Sequence, residues 1–375
     1  MAVVPLDYLR ELHVKYILAL LAVSGVLTAC DRGDSNKPAE TDVTGVKQPS
    51  ERASDVNSMQ FVEVKGEVAP LDDTLSMLQT QIILDRAGFS PGVIDGKPGQ
   101  TLELAIREFR TANGIDPTGK PDTATTEALN KLTVPATKLV RIPTAFAKMA
   151  FVPEFPAKAE DQATLPALGY RNMMEALAER FHTTPETLIA LNSAETSVAA
   201  GSVIRVPNIA DVPLAVIEND ERGWAKTLQT LGVSSDQPKV AKVVVDKSEG
   251  ILRAFDANDK IVASFPATMG SSYDPLPLGN WTIKGVARNP EFNYNPKLFW
   301  DVSDSKEKLL LPPGPNGPVG VVWIDLSKPH YGIHGTSEPH TIGRAESHGC
   351  VRLSNWDAAK LAGMVKTGVK AVFQK

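Results

Sequence analysis

Ile333-His334-Gly335-Thr336 and, one short loop later, Ser347-His348-Gly349-Cys350-Val351-Arg352-Leu353 are the stretches whose reading decides the fold. The chain has 2 cysteines, and the other, Cys30, lies near the N-terminus. Cys350 therefore has no obvious disulfide partner. A solitary thiol beside histidines is a candidate nucleophile, because an imidazole can take the thiol proton or, as a neighbouring cation, lower the thiol pKa. Gly349 lets a substrate carbonyl approach the backbone closely, and the amides of His348, Gly349 and Cys350, supported by Ser347, can cradle an oxyanion. Arg352 adds a fixed positive charge two residues on. Residue types alone leave a second reading open, in which Cys350 is a small buried hydrophobe and the histidines are satisfied core residues.

The arrangement resembles the L,D-transpeptidase catalytic domain of the YkuD type. The pieces that carry the resemblance are His334-Gly335-Thr336, Ser347 to Leu353, and, upstream, Met269-Gly270, Pro277-Leu278-Gly279-Asn280-Trp281, Leu311-Pro312-Pro313-Gly314-Pro315 and Tyr331-Gly332-Ile333. They span about the last third of the chain. The resemblance implies that Cys350 is the nucleophile and His334 the proton acceptor and donor, acting on peptidoglycan stem peptides without a cofactor. It also implies a part for Arg352 and Thr336 in binding a stem carboxylate or ordering the loop. A thiolate at neutral pH is then expected, with acylation changing between mildly acidic and mildly basic pH as the Cys350/His334 pair reaches its reactive state.

Working outward, Val243, Val245, Ile251, Leu252, Ala254, Phe255, Ile261, Val262 and Phe265 alternate around turns at Ser248-Glu249-Gly250 and Ala257-Asn258-Asp259, which predicts consecutive strands. A short helix near Trp356 to Val365 and a strand at Ala371 to Phe373 close a mostly-β domain over 239–375. A linker with a short helix from Trp224 to Gly232 occupies 210–238.

Further upstream, two helical stripes, Leu75-Leu78-Ile82-Ile83-Ala87 and Leu102-Ala105-Ile106-Phe109, flank Gly- and Pro-marked turns and predict a small three-helix domain over 67–134. Leu78-Gln79, Gly88-Phe89, Ile94-Asp95-Gly96, Gly99, Phe109 and Thr118-Gly119, with Asp122 and Thr125, resemble the three-helix peptidoglycan-binding domain. A connector containing Pro135, Pro143, Pro153 and Pro156 fills 135–165. Tyr170 to Pro207 reads strand-helix-helix-strand, and this βααβ outline over 166–209 resembles the LysM domain, which binds N-acetylglucosamine polymers, although its first strand is weakly written. The fold expected is thus multidomain α+β.

The N-terminal 30 residues join a weakly charged start to an apolar run, Tyr16 to Leu27, shorter than the roughly 20 residues a spanning helix needs. Leu27-Thr28-Ala29-Cys30 resembles a bacterial lipobox, which implies a lipidated Cys30, a membrane anchor and a periplasmic location. A polar, mixed-charge tether follows over 31–66, too poor in large apolar side chains to offset its ordering entropy.

Composition agrees with several soluble domains: 375 residues, 42% hydrophobic, 22% charged, with 28 prolines. A net charge of −5 argues against nucleic acid as a bulk partner, since phosphate binding needs a basic face. The expected partners are peptidoglycan stems and glycan strands, the membrane through the lipid, and a second stem or a wall-attached protein as acyl acceptor. Two rival classes exist. His330, His334, His340, His348 and Cys350 lie close enough to suggest zinc, but no helical i, i+4 pair with a glutamate base is present, and proline and glycine interrupt the stretch. A non-catalytic lipoprotein joining membrane to wall is the other, and intact His334 and Cys350 weigh against it.

Overall fold

A computed structural model of the chain describes residues 59–66, 76–210, 220–295, 307–344 and 349–375. The segment expected to be a signal peptide, Cys30 and most of the expected tether fall outside these residues, as do Ser347 and His348. Among the described residues no helix is long and apolar enough to cross a membrane.

The tether was expected to run to residue 66, but its last part is a strand. β1 (Val62–Glu63) pairs with β2 (Thr137–Arg141), which pairs in turn with β3 (Val203–Pro207), all antiparallel. The reason is local composition: Met59 and Phe61 are apolar and buried, and the Phe61 ring meets Phe146 and Phe181 edge-on with centroids 4.9 and 5.1 Å away. Strand β2 likewise corrects the expectation of a connector over 135–165. Val140 pairs with Ile204 and both are buried, so the opening strand of the middle domain lies here and not beside Tyr170. Nearby prolines hid a five-residue strand whose partner is some sixty residues away.

The three-helix region is built from α1 (Met77–Arg86), α2 (Gln100–Ala112) and α3 (Thr123–Asn130). Ser76 and Asp122 cap α1 and α3, their side chains accepting from the amides of Gln79 and Thr125 at 3.2 and 2.9 Å, which satisfies donors that a helix start leaves orphaned. Ile83, Leu84, Phe89, Leu102, Phe109 and Leu129 form its core. Helix α1 has a second apolar face, and Leu78 and Ile82 pack instead into the middle domain with Leu177 and Phe181. That domain adds α4 (Thr144–Ala147), α5 (Ala159–Gln162), α6 (Met173–Arg180) and α7 (Pro185–Leu191), the last two capped by Asn172 and Thr184.

After α8 (Trp224–Leu231) the chain enters its largest layer. The strands are β4 (Lys242–Asp246), β5 (Ile251–Phe255), β6 (Ile261–Pro266), β7 (Thr268–Met269), β8 (Gly279–Arg288), β9 (Phe292–Tyr294), β10 (Leu309–Leu311), β11 (Val322–Leu326), β12 (Gly332–His334), β13 (Val351–Arg352) and β14 (Lys370–Gln374). Nine of them make one sheet in the order β6-β5-β4-β14-β8-β11-β12-β13-β7, while β9 and β10 form a separate ribbon. Helix α9 (Asn355–Met364) precedes β14, and both its fully buried Trp356 and α8 pack into the core with Val243, Phe265, Ile324, Ile333 and Val351. Alternation explains this sheet: inward residues of period two meet α8 and α9, and outward ones are left for other uses.

Residues 51–375 form one unit, so the modules are not loosely strung. Backbone hydrogen bonds join the three-helix and C-terminal domains, the Ser90 amide donating to Ser264 O at 2.9 Å and the Ser264 amide to Gly88 O at 3.1 Å. Beside them Arg253 grips Glu108 with two bonds of 2.7 Å, a bidentate geometry that fixes orientation.

Candidate active site

Cys350, His334 and Arg352 meet because two short strands run parallel. Ile333 pairs with Val351 and His334 with Arg352, and on the other side Arg352 pairs with Thr268. Paired residues share a sheet face, so Ile324, Ile333, Val351 and Met269 form the inward row and Trp323, His334, Arg352 and Thr268 the outward one. Cys350, two residues before Arg352, joins the outward row at the strand entry. There the Gly332 amide points at its sulfur, and the thiol reaches the His330 carbonyl at 3.9 Å. The parallel pairing thus brings Cys350, at the entry to β13, close to the end of the strand that carries His334.

The imidazole is held firmly. His334 is buried, its Nδ1–H donates to the Gly335 carbonyl at 2.7 Å, and its ring stacks on Trp323 with centroids 5.7 Å apart. Because a carbonyl can only accept, the neutral ring carries its proton on Nδ1 and keeps Nε2 free to receive one. Leu353 N–H donates to the His334 carbonyl at 2.9 Å, which ties the two motif strands together behind the face.

Small residues give the aromatic rings room. A Cβ on Gly332 would stand 2.6 Å from the Trp323 ring, and one on Gly349 would stand 2.7 Å from Tyr331. Gly349 also adopts φ +85°, a left-handed conformation glycine takes without cost. The loop after β7 completes the rim, where Ser271 donates its amide to Asp274 O at 2.8 Å and Tyr273 stands exposed.

Electrostatics differ from the thiolate expected at neutral pH. Burial pushes the Cys350 thiol up, although the Gly332 amide and Arg352 oppose it, while Asp274 adds to the rise. Burial also pulls His334 down to about 4, helped by the positive charge of Arg352 and opposed by the Gly335 hydrogen bond. The resting pair is therefore a neutral thiol beside a neutral imidazole, and the proton moves when the substrate is attacked. A pH profile follows from the signs. Acylation should rise as His334 loses its proton near pH 4, stay level through neutrality, and fall only when the thiol ionises and no proton remains for the leaving group. Measuring kcat/KM for acylation between pH 3 and 10 checks this; a midpoint near 6.5 for the acid limb is the opposing result.

Thr336 is buried and its hydroxyl accepts from the Glu338 amide at 3.2 Å. Arg352 is half-buried, with Cys350 and Glu338 as the charges it feels, and forms no ion pair among the described residues. His330 and His340 do not join the face as ligands, and among the described residues no three His, Cys, Asp or Glu side chains converge on a metal-sized site. Trp323 and Asn355 were not singled out in sequence, and Tyr331 only as part of the resemblance. For Trp323 a signal existed, since Val322-Trp323-Ile324-Asp325-Leu326 alternates and sets Trp323 opposite Ile324.

Comparison with known proteins adds independent support. Residues 241–373 match the family of L,D-transpeptidase catalytic domains, and residues 76–129 match a family of peptidoglycan binding domains. A Bacillus licheniformis protein named as an L,D-transpeptidase, YkuD, is 28% identical over 199 residues, which cover 52% of this chain and 90% of that protein. Its Bacillus subtilis namesake is 31% identical over 118 residues, 32% of this chain and 57% of that one. Among solved structures, an L,D-transpeptidase from Mycobacterium smegmatis is 22% identical with a TM-score of 0.29, covering 36% of this chain and 58% of its own. These matches support an L,D-transpeptidase enzyme, with a segment over 241–373 similar to YkuD-type catalytic domains and one over 76–129 similar to peptidoglycan-binding domains.

Proposed function

We propose that the enzyme joins peptidoglycan stems through a thioester on Cys350. The sulfur attacks the carbonyl at the L-centre of the diamino acid in a tetrapeptide stem while the thiol proton passes to His334 Nε2. The amides of Gly349 and Cys350, with Ser347 and His348 in the same loop, stabilise the oxyanion. Collapse breaks the bond to the terminal D-alanine, whose amine takes the proton from His334, and leaves the acyl-enzyme. An acceptor amine then attacks the thioester, loses its proton to His334 and expels the sulfur, which is reprotonated. Arg352 holds the stem carboxylate. The observation that supports this reading is the parallel pairing of the His334 strand with the strand that follows Cys350, together with the His334 Nδ1 bond to the Gly335 carbonyl.

The preferred acceptor is the side-chain amine of a second stem, which gives a cross-link between two diamino acids. A lysine of a wall-attached protein would use the same thioester, and water would make the enzyme a carboxypeptidase. The three-helix domain holds the wall, and the middle domain, a LysM-like βααβ module, adds a hold on the glycan. Lipidated Cys30 anchors the protein at the periplasmic face of the membrane, and the tether over 31–58, extending to roughly 90–100 Å, lets the catalytic domain search the layer above.

The test is mass spectrometry of purified tetrapeptide muropeptides incubated with the enzyme. Dimers joined between two diamino acids are the expected product. Release of D-alanine without dimers points to water as acceptor, and bound but unchanged muropeptides overturn the reading.

A further inference from the structure

A buried chain of polar groups that the acyl-transfer steps do not use connects the middle domain to the turn that carries His334. Asn355, the first residue of α9, is fully buried. Its Oδ1 accepts from the Val321 amide at 3.3 Å. Its Nδ2 donates to the Pro315 carbonyl at 3.1 Å and to both carboxyl oxygens of Glu179, at 3.0 and 3.3 Å. Glu179, on α6, is buried as well, and its Oε2 accepts from the Tyr170 hydroxyl at 2.8 Å.

The other end of this chain touches the catalytic turn. A Cβ on Gly320 or Gly335 would overlap Asn355 Oδ1, so the carboxamide is wedged between the approach to β11 and the His334-Gly335-Thr336 turn. The Gly335 carbonyl receives the Nδ1 proton of His334, while its amide donates to Val319 O at 3.1 Å. A second contact clasps the same region. Leu168 N–H donates to Pro313 O at 2.9 Å, and Asn316 donates its amide to Leu168 O at 3.0 Å and its Nδ2 to Gly169 O at 2.9 Å.

Why a carboxyl group belongs here follows from the two ends of an amide. Burial pushes Glu179 up to about 8 despite the bonds from Tyr170 and Asn355, with Glu175 adding to the rise, so it takes up a proton more readily than an ordinary carboxyl. Packing alone would be served as well by apolar side chains, because burying ionisable groups seldom gains stability. What apolar neighbours cannot do is fix the rotation of Asn355. With Glu179 and the Pro315 carbonyl accepting from Nδ2, Oδ1 faces the Val321 amide; the flipped amide would set Nδ2 against that N–H and Oδ1 against the Pro315 carbonyl.

We propose that Glu179 is a positioning residue for the transfer reaction: through Asn355 it fixes the Gly335 carbonyl, and thereby the tautomer and aim of the His334 imidazole. The inference rests on His334 being the base. Displacing a reacting group by about 1 Å costs on the order of 100-fold in rate, so a small shift of this turn is enough to matter.

The experiment compares Glu179→Ala, Glu179→Gln and His334→Ala in the full chain, measuring kcat and KM for acylation by a tetrapeptide stem and the 15N imidazole signals of His334. Glu179→Ala should lower kcat by roughly 10- to 100-fold with KM near the wild-type value. The Nδ1–H tautomer should give way to a mixture. Glu179→Gln, which keeps an uncharged planar acceptor, should restore most of the rate and the original signals. Wild-type kcat and unchanged imidazole signals in Glu179→Ala, beside an inactive His334→Ala, overturn the inference while leaving the base assignment intact. Wild-type acylation by His334→Ala removes the base assignment itself. Should Glu179→Ala fail to fold, Tyr170→Phe takes its place. Loss of one bond to Glu179 should then shift both readouts in the same direction, and no shift in either counts against the proposal.

Discussion

Replacing Cys350 by Ala is expected to abolish the acyl-enzyme, and replacing His334 by Ala to slow its formation by about 10²- to 10⁴-fold, the usual contribution of a positioned acid–base group. The asymmetry comes from what each atom does. Without the sulfur no thioester forms. Without the imidazole a buried, neutral thiol must lose its proton unaided while the Gly332 amide and Arg352 still favour the anion. The His334 variant should therefore keep a slow reaction that speeds up toward alkaline pH, and the acid limb near pH 4 should vanish with the imidazole that produces it. Intact-mass time courses of the acylated protein, run across pH, read both effects. His348 provides the internal control: His348→Ala should fall far short of His334→Ala, and an equal loss would move the base to His348. The melting temperature of each variant separates lost chemistry from lost fold.

What the sequence disclosed, and what it hid, follows from the range of the interactions involved. The candidate pair His334 and Cys350 could be picked out because the two stand only sixteen positions apart, and small residues around them limit what else the stretch can be. Strands β4 to β6 were legible for a similar reason, since alternation and tight turns are local signals. Strand β2 was not. Thr137-Lys138-Leu139-Val140-Arg141 is short, lies between prolines, and acquires its inward face only when Ile204 and Val206 arrive from far along the chain. The second face of α1 was hidden in the same way, because nothing in the period of Leu78 and Ile82 says which domain will cover them. Neutrality of the Cys350/His334 pair was also out of reach. Residue types favour a thiolate beside an imidazolium, and burial, a property of the assembled sheet, reverses the preference.

Long-range polar contacts were the least visible, and the largest of them sits where three domains meet. Asp85 on α1 is buried against His182 Nδ1, with oxygens at 3.1 and 3.2 Å, and against Lys360 Nζ of α9 at 2.6 Å. His182 Nε2 faces the Leu231 carbonyl at 2.9 Å and its ring stacks on Trp356, while Ser90 donates to Asp357 at 2.7 Å beside them. Burial alone would raise Asp85, but Lys360 and His182 outweigh it and hold the carboxyl well below its ordinary range. Lys360 is raised in turn: its burial is overcome by Asp85 and Asp357.

Asp85→Ala is therefore expected to cost about 3–5 kcal/mol, since it leaves a buried ammonium without its main partner. Three domains share the group, so the loss should appear as one cooperative transition moved to lower denaturant and not as a separate early one. The sign with pH is fixed by the direction of the shift. A carboxyl depressed in the folded state contributes stability above its unfolded value of 3.8, and that contribution disappears as the pH falls through the window below it. Wild-type protein should thus lose stability steeply below about pH 4, and Asp85→Ala should lack that part of the slope. Denaturant melts at pH 3 and pH 7 provide the comparison. Parallel losses in the two proteins would mean that Asp85 is not bound to Lys360 and His182 as an ion. A difference that shrinks on acidification would identify this junction as one of the ionic contacts that join the three-helix domain to the C-terminal sheet.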